Sequence, residues 1–164
     1  MTRTRLLAVA LVISACPKPA APPPPPPPAP VDDCTFETKL VEGIPGSPGH
    51  LIASERNPNG ASELATLMRR FVDDWKVARV ALEADAGVPA YLPAHRRIRC
   101  SWPTDLADRN VTFDGYAQGY VKAVKAFDAA PSRATYEGAL DACQACHEVS
   151  CGGPLEVIAG LRWK

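Results

Sequence analysis

Residues 61–86 read ASELATLMRRFVDDWKVARVALEADA and contain neither glycine nor proline. Apolar side chains recur in this stretch every three or four residues: Leu64, Met68, Phe71, Trp75, Ala78 and Leu82. This spacing is that of one face of an α-helix, and charged residues occupy the opposite face. The stretch therefore predicts a long amphipathic helix, which ends before Gly87 and Pro89.

Three further helices are predicted downstream. A short one covers 93–102 and stops at Pro103; a longer one covers about 112–129. The last begins after Ser132, a residue type favoured at the N-cap, and runs to about Val149. No segment alternates apolar and polar residues for long enough to form a sheet. The sequence thus predicts an all-α protein, most simply an up-down-up-down four-helix bundle with a short second helix.

The last predicted helix carries the run Cys143-Gln144-Ala145-Cys146-His147. Cys-x-x-Cys-His is the attachment signature of haem c. Positions three and four apart share one helix face, so both thiols can reach the vinyl groups of one porphyrin while the imidazole lies beside them. The run predicts one covalent haem c, held by Cys143 and Cys146 as thioethers, with His147 as the proximal iron ligand.

Two other chemistries use similar residues. A thioredoxin-like pair is expected at a helix N-terminus after a strand, where the helix dipole lowers the thiol pKa. Here the pair lies near the C-terminal end of a helix, with no strand before it. A zinc-held structural domain is the other alternative, and it needs further ligands. The sequence offers His50, His95, Cys100 and Cys151.

The first fifteen residues have the layout of a signal peptide. Arg3 and Arg5 precede a short apolar stretch over 6–13, and small residues precede Cys16. So short a stretch does not span a bilayer core of about 30 Å. The end of the stretch resembles a bacterial lipobox, in which Cys16 would be lipidated; a plain secretory signal is the alternative. Export to the periplasmic side of a membrane agrees with haem c, because haem is attached covalently there.

The rest of the chain divides by composition. Residues 17–31 are rich in proline and alanine and predict a polyproline II spacer; at about 3.1 Å per residue, its first fourteen residues reach roughly 40 Å. Residues 32–60 contain scattered glycine and proline and predict an irregular segment packed on the domain. Residues 61–164 form the predicted haem-binding helical domain.

The charge balance of the chain limits which partners are expected. The 18 basic and 18 acidic residues balance, so nucleic acid is not an expected partner.

Cys34, Cys100 and Cys151 lie outside the signal and the haem run, and in an exported protein two of them are expected to pair. We expect Cys151 to be one of the pair, with Cys34 or Cys100 as its partner. No catalytic triad, phosphate loop or carboxylate pair is present, so the sequence does not predict an enzyme.

A helical domain with its haem run near the C-terminus resembles the class II c-type cytochromes, which include the cytochromes c′. The likeness covers 61–164, with Leu67-Met68-Arg69 on the first helix and the haem run on the last. It implies a haem between these two helices, His147 as proximal ligand, and pairing as a homodimer. The long N-terminal extension, the short second helix and the tail after Ser150 depart from the family pattern.

The sixth iron ligand separates two functions. The resemblance implies that Met68 lies near the distal side of the iron, flanked by Leu64 and Phe71. Sulfur ligation opposite histidine gives a low-spin iron suited to electron transfer with a redox partner protein. If Met68 is only a core residue, the distal side is open to nitric oxide or carbon monoxide. His50 and His95 are lesser alternatives as ligands, since a lone loop histidine is usually solvated.

The lipobox yields a first prediction. Cys16→Ser removes the thiol that would carry the lipid, so the variant should remain uncleaved or be recovered as soluble protein, whereas the parent partitions with membranes. Cell fractionation and the mature N-terminal sequence measure this. Processing and localisation identical to those of the parent would show that Cys16 is not an anchor.

Overall fold

The structure, a computed structural model, describes residues 34–163, and the predicted signal, lipobox and proline-rich spacer lie outside them. Within the described residues the fold is all helical, as predicted, without strands apart from one bridge between Ile52 and Ala61. The α-helices are α1 (Glu63–Glu83), α2 (Leu92–His95), α3 (Val111–Ala129), α4 (Arg133–Ser150) and α5 (Leu155–Leu161). No helix in this range is long and apolar enough to cross a membrane.

The three long helices begin at polar N-cap residues. Ser62 Oγ accepts a hydrogen bond from the Ala65 amide at 3.1 Å. Asn110 caps α3 in the same way, and Ser132 caps α4 as predicted, with a reciprocal bond that makes a capping box. Each cap satisfies a backbone donor that the first turn leaves unpaired, an arrangement that contributes about 1 kcal/mol.

Two helices differ from the prediction. The expected helix over 93–102 is α-helical only over the four residues of α2 and continues as a 3₁₀ helix, Arg96–Cys100. The short α5 was not predicted, because Gly152, Gly153 and Pro154 end α4 and indicate an irregular tail. It forms because Ile158 and Leu161 bury one apolar face against the rest of the domain.

The core is aromatic. Trp75 of α1 is 1% exposed, and its ring meets Phe127 of α3 and Tyr136 of α4 at centroid distances of 5.1 and 5.5 Å. Both contacts are edge-to-face, the geometry that aromatic rings prefer, and each is worth about 0.5–1.5 kcal/mol beyond the area buried. Tyr136 also donates its hydroxyl proton to the Leu161 carbonyl at 2.9 Å. One cluster therefore joins α1, α3, α4 and α5.

A buried ion pair fastens the 3₁₀ helix to α3. Arg99 donates from Nε and from one terminal nitrogen to the two carboxylate oxygens of Asp114, at 2.9 and 3.2 Å. Asp114 is 5% exposed. Its hydrogen bonds from Arg99 hold the pKa of the carboxyl below its usual value despite burial. The pair is bidentate, which is the strong form of an arginine–carboxylate contact.

Residues 34–60 are irregular and lie along the helical part. A disulfide joins Cys34 to Cys100, and Trp102 Nε1 donates to the Val41 carbonyl at 2.6 Å. Farther on, the Gly46 carbonyl accepts from the Glu63 amide at 3.1 Å. Gly46 has a φ of +90°, and a Cβ there would collide with the Glu63 backbone, so this crossing requires glycine.

The disulfide corrects one expectation. We expected Cys151 to pair with Cys34 or Cys100, but those two bond to each other and Cys151 is a free, exposed thiol. The physical reason is that Cys100 ends the 3₁₀ helix beside the N-terminal segment, where Arg109 donates to the carbonyls of both Thr35 and Arg99. Cys151 instead terminates α4, at the helix end that carries the haem run.

The ion pair yields a stability prediction. Arg99→Met leaves the Asp114 carboxylate buried without its partner, so unfolding free energy should fall by about 3–5 kcal/mol. The matched control is Lys76→Met, which breaks the exposed pair with Asp73 and should cost at most about 1 kcal/mol. Urea unfolding at pH 7 measures both.

The pH dependence follows from the lowered pKa of Asp114. The stabilisation is present above the ordinary aspartate pKa and is lost as pH falls through the lower folded-state value. The difference between parent and Arg99→Met should therefore shrink in acid. Equal losses for the Arg99 and Lys76 variants at pH 7 would contradict this account.

Candidate haem-binding site

The last turns of α4 carry the haem run. Tyr136, Ala139 and Leu140, in the preceding part of the helix, are fully buried in the core. Beyond them Cys143, Cys146 and His147 are only partly buried. The helix therefore changes its environment along its length: it packs against protein first and then borders open space.

That space is a cavity of about 1030 Å³. All six residues predicted for the haem pocket line it: Leu64, Met68 and Phe71 from α1, and Cys143, Cys146 and His147 from α4. Cavities that hold cofactors and drug-sized ligands measure about 300–1,000 Å³, so the volume suits a group as large as a porphyrin. The structure thus brings the two predicted sides of the site together around one cavity.

Other walls of the cavity come from segments that the sequence did not assign to the site. They are contributed by the loop before α3, the start of α3, and α5: Pro103, Thr104, Asn110, Phe113, Val157 and Ile158. The contribution of α5 had a signal, because Leu155, Ile158 and Leu161 recur at helical spacing. The loop residues had none, since proline and polar loop residues indicate only a turn.

A hydrogen bond orients the imidazole of His147. Its Nδ1 lies 2.9 Å from the carbonyl oxygen of Cys151. A carbonyl only accepts, so Nδ1 carries the proton and the lone pair of the neutral ring is on Nε2. Metal-binding histidines almost always have such a partner on the second nitrogen, which sets the tautomer and ring orientation. The donor atom available to a metal at this site is therefore Nε2.

The two thiols of the run are unlike those of a dithiol oxidoreductase. Burial raises the pKa of Cys143 to about 12, and burial also raises the pKa of Cys146. Reactive thiols have a lowered pKa, which a helix N-terminus or a nearby cation provides. The pair lies instead in the last two turns of α4, as predicted. The environment therefore disfavours thiolate chemistry.

Most of the residues that could complete a zinc site lie away from the cavity or have other partners. Cys100 is in the disulfide, and both ring nitrogens of His95 have hydrogen-bond partners. Of the four residues considered, Cys151 alone lines the cavity. Within residues 34–163, no group of three or more His, Cys, Asp or Glu side chains is placed to hold a metal ion by itself.

Positive charge is available at the cavity wall. Arg56, from the irregular segment, and Arg69 of α1 both line it. Arg70, the next residue, instead approaches Asp74 at 3.6 Å. Guanidinium groups pair well with carboxylates, and a haem carries two of them as propionates. Arg56 and Arg69 therefore complement the charge of such a group.

The two histidines considered as lesser iron ligands differ from each other. His50 is exposed, as predicted, and its Nδ1 lies 3.3 Å from the Pro48 carbonyl. His95 is fully buried, so the expectation that it is solvated is wrong. A signal was present: Tyr91, His95 and Ile98 have the spacing of one helix face, and both apolar neighbours are buried.

A small recess of about 20 Å³ extends the site toward the core. It shares Met68, Phe71, Cys143, Cys146 and His147 with the large cavity. Its other walls come from the 3₁₀ helix, α3 and α4: Ile98, Tyr116, Ala117, Tyr120 and Ala142. Tyr120 therefore borders the candidate haem site on one side.

Comparison of the chain with protein-family models, with curated proteins and with solved structures finds no match.

Proposed function

We propose that the chain is an exported, membrane-anchored monohaem c-type cytochrome that transfers electrons to or from a redox partner protein. One observation carries the proposal: Cys143, Cys146 and His147 border a large cavity that Met68 of α1 also lines. The orientation of His147 by the Cys151 carbonyl supports it, because Nε2 is then free to bind iron.

In this proposal Cys143 and Cys146 would hold haem c as thioethers, and His147 would be the proximal ligand. When bound, the haem supplies an iron that exchanges one electron between its ferric and ferrous states. The chain orients the imidazole, and apolar side chains of α1 and α5 would contact the porphyrin while Arg56 and Arg69 would pair with the propionates. The up-down-up-down arrangement belongs to the same proposal, with α2 as the short second member and α5 as an addition.

The disulfide supports export. Disulfides persist in oxidising compartments such as the bacterial periplasm and are rare in reducing ones. Cys34 and Cys100 are 66 residues apart in sequence, and their bond ties the irregular segment to the domain. The predicted signal and lipobox point to the same compartment. A lipid at Cys16 and the spacer after it would hold the domain near a membrane.

A second function is the binding of nitric oxide or carbon monoxide at an open distal side. The observation that favours it is the presence of Leu64 and Phe71 beside Met68 at the cavity wall. Neither of these two side chains can bind iron, so the distal side stays open unless Met68 closes it. The two functions therefore differ in whether the sulfur of Met68 reaches the iron.

The covalent attachment is tested on protein matured in a host with haem-attachment machinery. The haem should stay with the polypeptide in acid–acetone, and the alkaline pyridine spectrum should show two saturated vinyl linkages. Cys143→Ser or Cys146→Ser should shift that spectrum toward a single linkage. Cys151→Ser is the matched control: it leaves the spectrum unchanged, because Cys151 offers its backbone carbonyl and not its sulfur. Haem released quantitatively from the parent would contradict the proposal.

Met68→Leu distinguishes the two functions. The volume hardly changes, so stability should fall by less than about 1.5 kcal/mol. With Met68 as ligand, the parent shows the weak near-infrared band of sulfur-to-iron charge transfer, and its ferrous form reacts slowly with carbon monoxide. The variant should lose the band, turn high-spin, fall in potential and bind carbon monoxide quickly.

Leu67→Met is the control for that substitution. Leu67 packs against the core and does not line the cavity, so the variant should keep the parent spectrum. A parent that is already high-spin, with a Met68→Leu variant identical to it, would contradict the electron-transfer function. The gas-binding function would then be the better account.

A further inference from the structure

His95 is a fully buried titratable group beside the candidate haem site. Its side chain is 0% exposed and lies among aromatic rings. Phe71, which lines the cavity, stacks on the imidazole with ring centroids 4.0 Å apart. Because the imidazole is buried, each of its nitrogens needs a hydrogen-bond partner. Because aromatic rings enclose it, the protonated form is also costly.

The hydrogen bonds of His95 form a directed chain. Trp75 Nε1 donates to the Tyr120 hydroxyl oxygen at 3.1 Å, and that oxygen lies 2.7 Å from His95 Nδ1. His95 Nε2 lies 3.0 Å from Asp74 Oδ2. The carboxylate only accepts, so Nε2 carries the ring proton. Nδ1 of the neutral ring then accepts the Tyr120 proton, and its lone pair is the place where a further proton can bind.

This chain ends at the haem site. Tyr120 borders the recess that Cys143, Cys146 and His147 also line. Burial raises the pKa of Tyr120 well above its usual value, so the phenol keeps its proton. Its O–H donates to His95 Nδ1 when the ring is neutral, and its oxygen accepts from Nδ1–H when the ring is protonated.

Burial and the neighbouring carboxylates shift the pKa of His95 in opposite directions. Burial lowers its pKa below the usual value, and Arg70 acts in the same direction. The carboxylates of Asp74 on α1 and Asp128 on α3 act against this. Tyr91, just before α2, faces the ring with centroids 5.5 Å apart. When such opposing effects nearly cancel, a small change in nearby charge alters the protonation state of the histidine.

We propose that His95 takes up one proton when the haem held by Cys143, Cys146 and His147 is reduced, and releases it on oxidation. The electron would come from the proposed redox partner protein, and one proton from solvent would form an N–H bond at His95 Nδ1. The Nε2–H bond to Asp74, whose side chain is 22% exposed, stays in place. Tyr120 turns its O–H away from His95, toward the recess that Cys143 also lines.

Electrostatics gives the direction in which reduction and protonation of His95 are coupled. An added electron removes a unit of positive charge from the site, so protonated His95 is favoured in the reduced state. Linkage is reciprocal, so protonation of His95 favours reduction equally. The midpoint potential should rise as pH falls between the pKa of His95 in the reduced protein and its lower pKa in the oxidised protein. This inference rests on the proposed haem site.

The test compares three haem-loaded proteins by potentiometric titration between about pH 4 and pH 8, a range that extends well below the usual histidine pKa because burial lowers the pKa of His95. The parent potential should fall as pH rises, by up to about 59 mV for each tenfold drop in proton concentration. His95→Gln should be flat, because an amide keeps a donor and an acceptor but does not titrate. His50→Gln, which replaces an exposed histidine, should retain the parent slope.

A second readout is independent of the variants. The ¹⁵N resonances of the His95 imidazole in the parent should titrate at a higher pH in the ferrous than in the ferric protein. Equal titration in both states, or a parent slope that persists in His95→Gln, would overturn the inference. A matured chain that carries no covalent haem would overturn the proposed function and this inference together, whereas a haem-loaded parent with a flat potential would overturn only the inference.

Discussion

The packing of Tyr136 determines which way the later turns of α4, with Cys143, Cys146 and His147, face. Its ring is fully buried against Trp75, and its hydroxyl donates to the Leu161 carbonyl, so α4 is fastened to α1 and α5 at one place. Beyond that place α4 continues for about four turns, at 3.6 residues per turn. Cys143, the first residue of the haem run, follows Tyr136 at two helical turns and so lies on the same face. The core contact thereby turns the run toward the cavity.

The aromatic core and the cavity share a wall. Phe71 has one side on the cavity and stacks with the other on His95, while Tyr120 joins His95 to the neighbourhood of Cys143. A cavity of this size leaves the apolar side chains that line it exposed to water, which is unfavourable. A large apolar cofactor would cover those side chains. In this account the proposed haem would be part of the folded core as well as the functional group.

The sequence was most informative where one period or one motif decides the structure. The apolar spacing from Leu64 to Leu82 and the cap at Ser132 predicted α1 and the start of α4 within a few residues. The parts that were missed depend on tertiary contacts. Leu161 is helical because Tyr136 and the core bury its face, and His95 is buried because Asp74 and Tyr120 supply polar partners. The choice of Cys34 for Cys100 depends on where an irregular segment lies, which no local pattern encodes.

The most direct test of the account is the mass of one peptide. Trypsin cleaves after Arg133 and Arg162, with no lysine or arginine between them, so residues 134–162 are released together with Cys143, Cys146 and Cys151. After maturation with haem-attachment machinery and alkylation, this peptide should carry one haem and one alkyl group, the latter on Cys151. A peptide with no haem and with all three thiols alkylated would contradict the account.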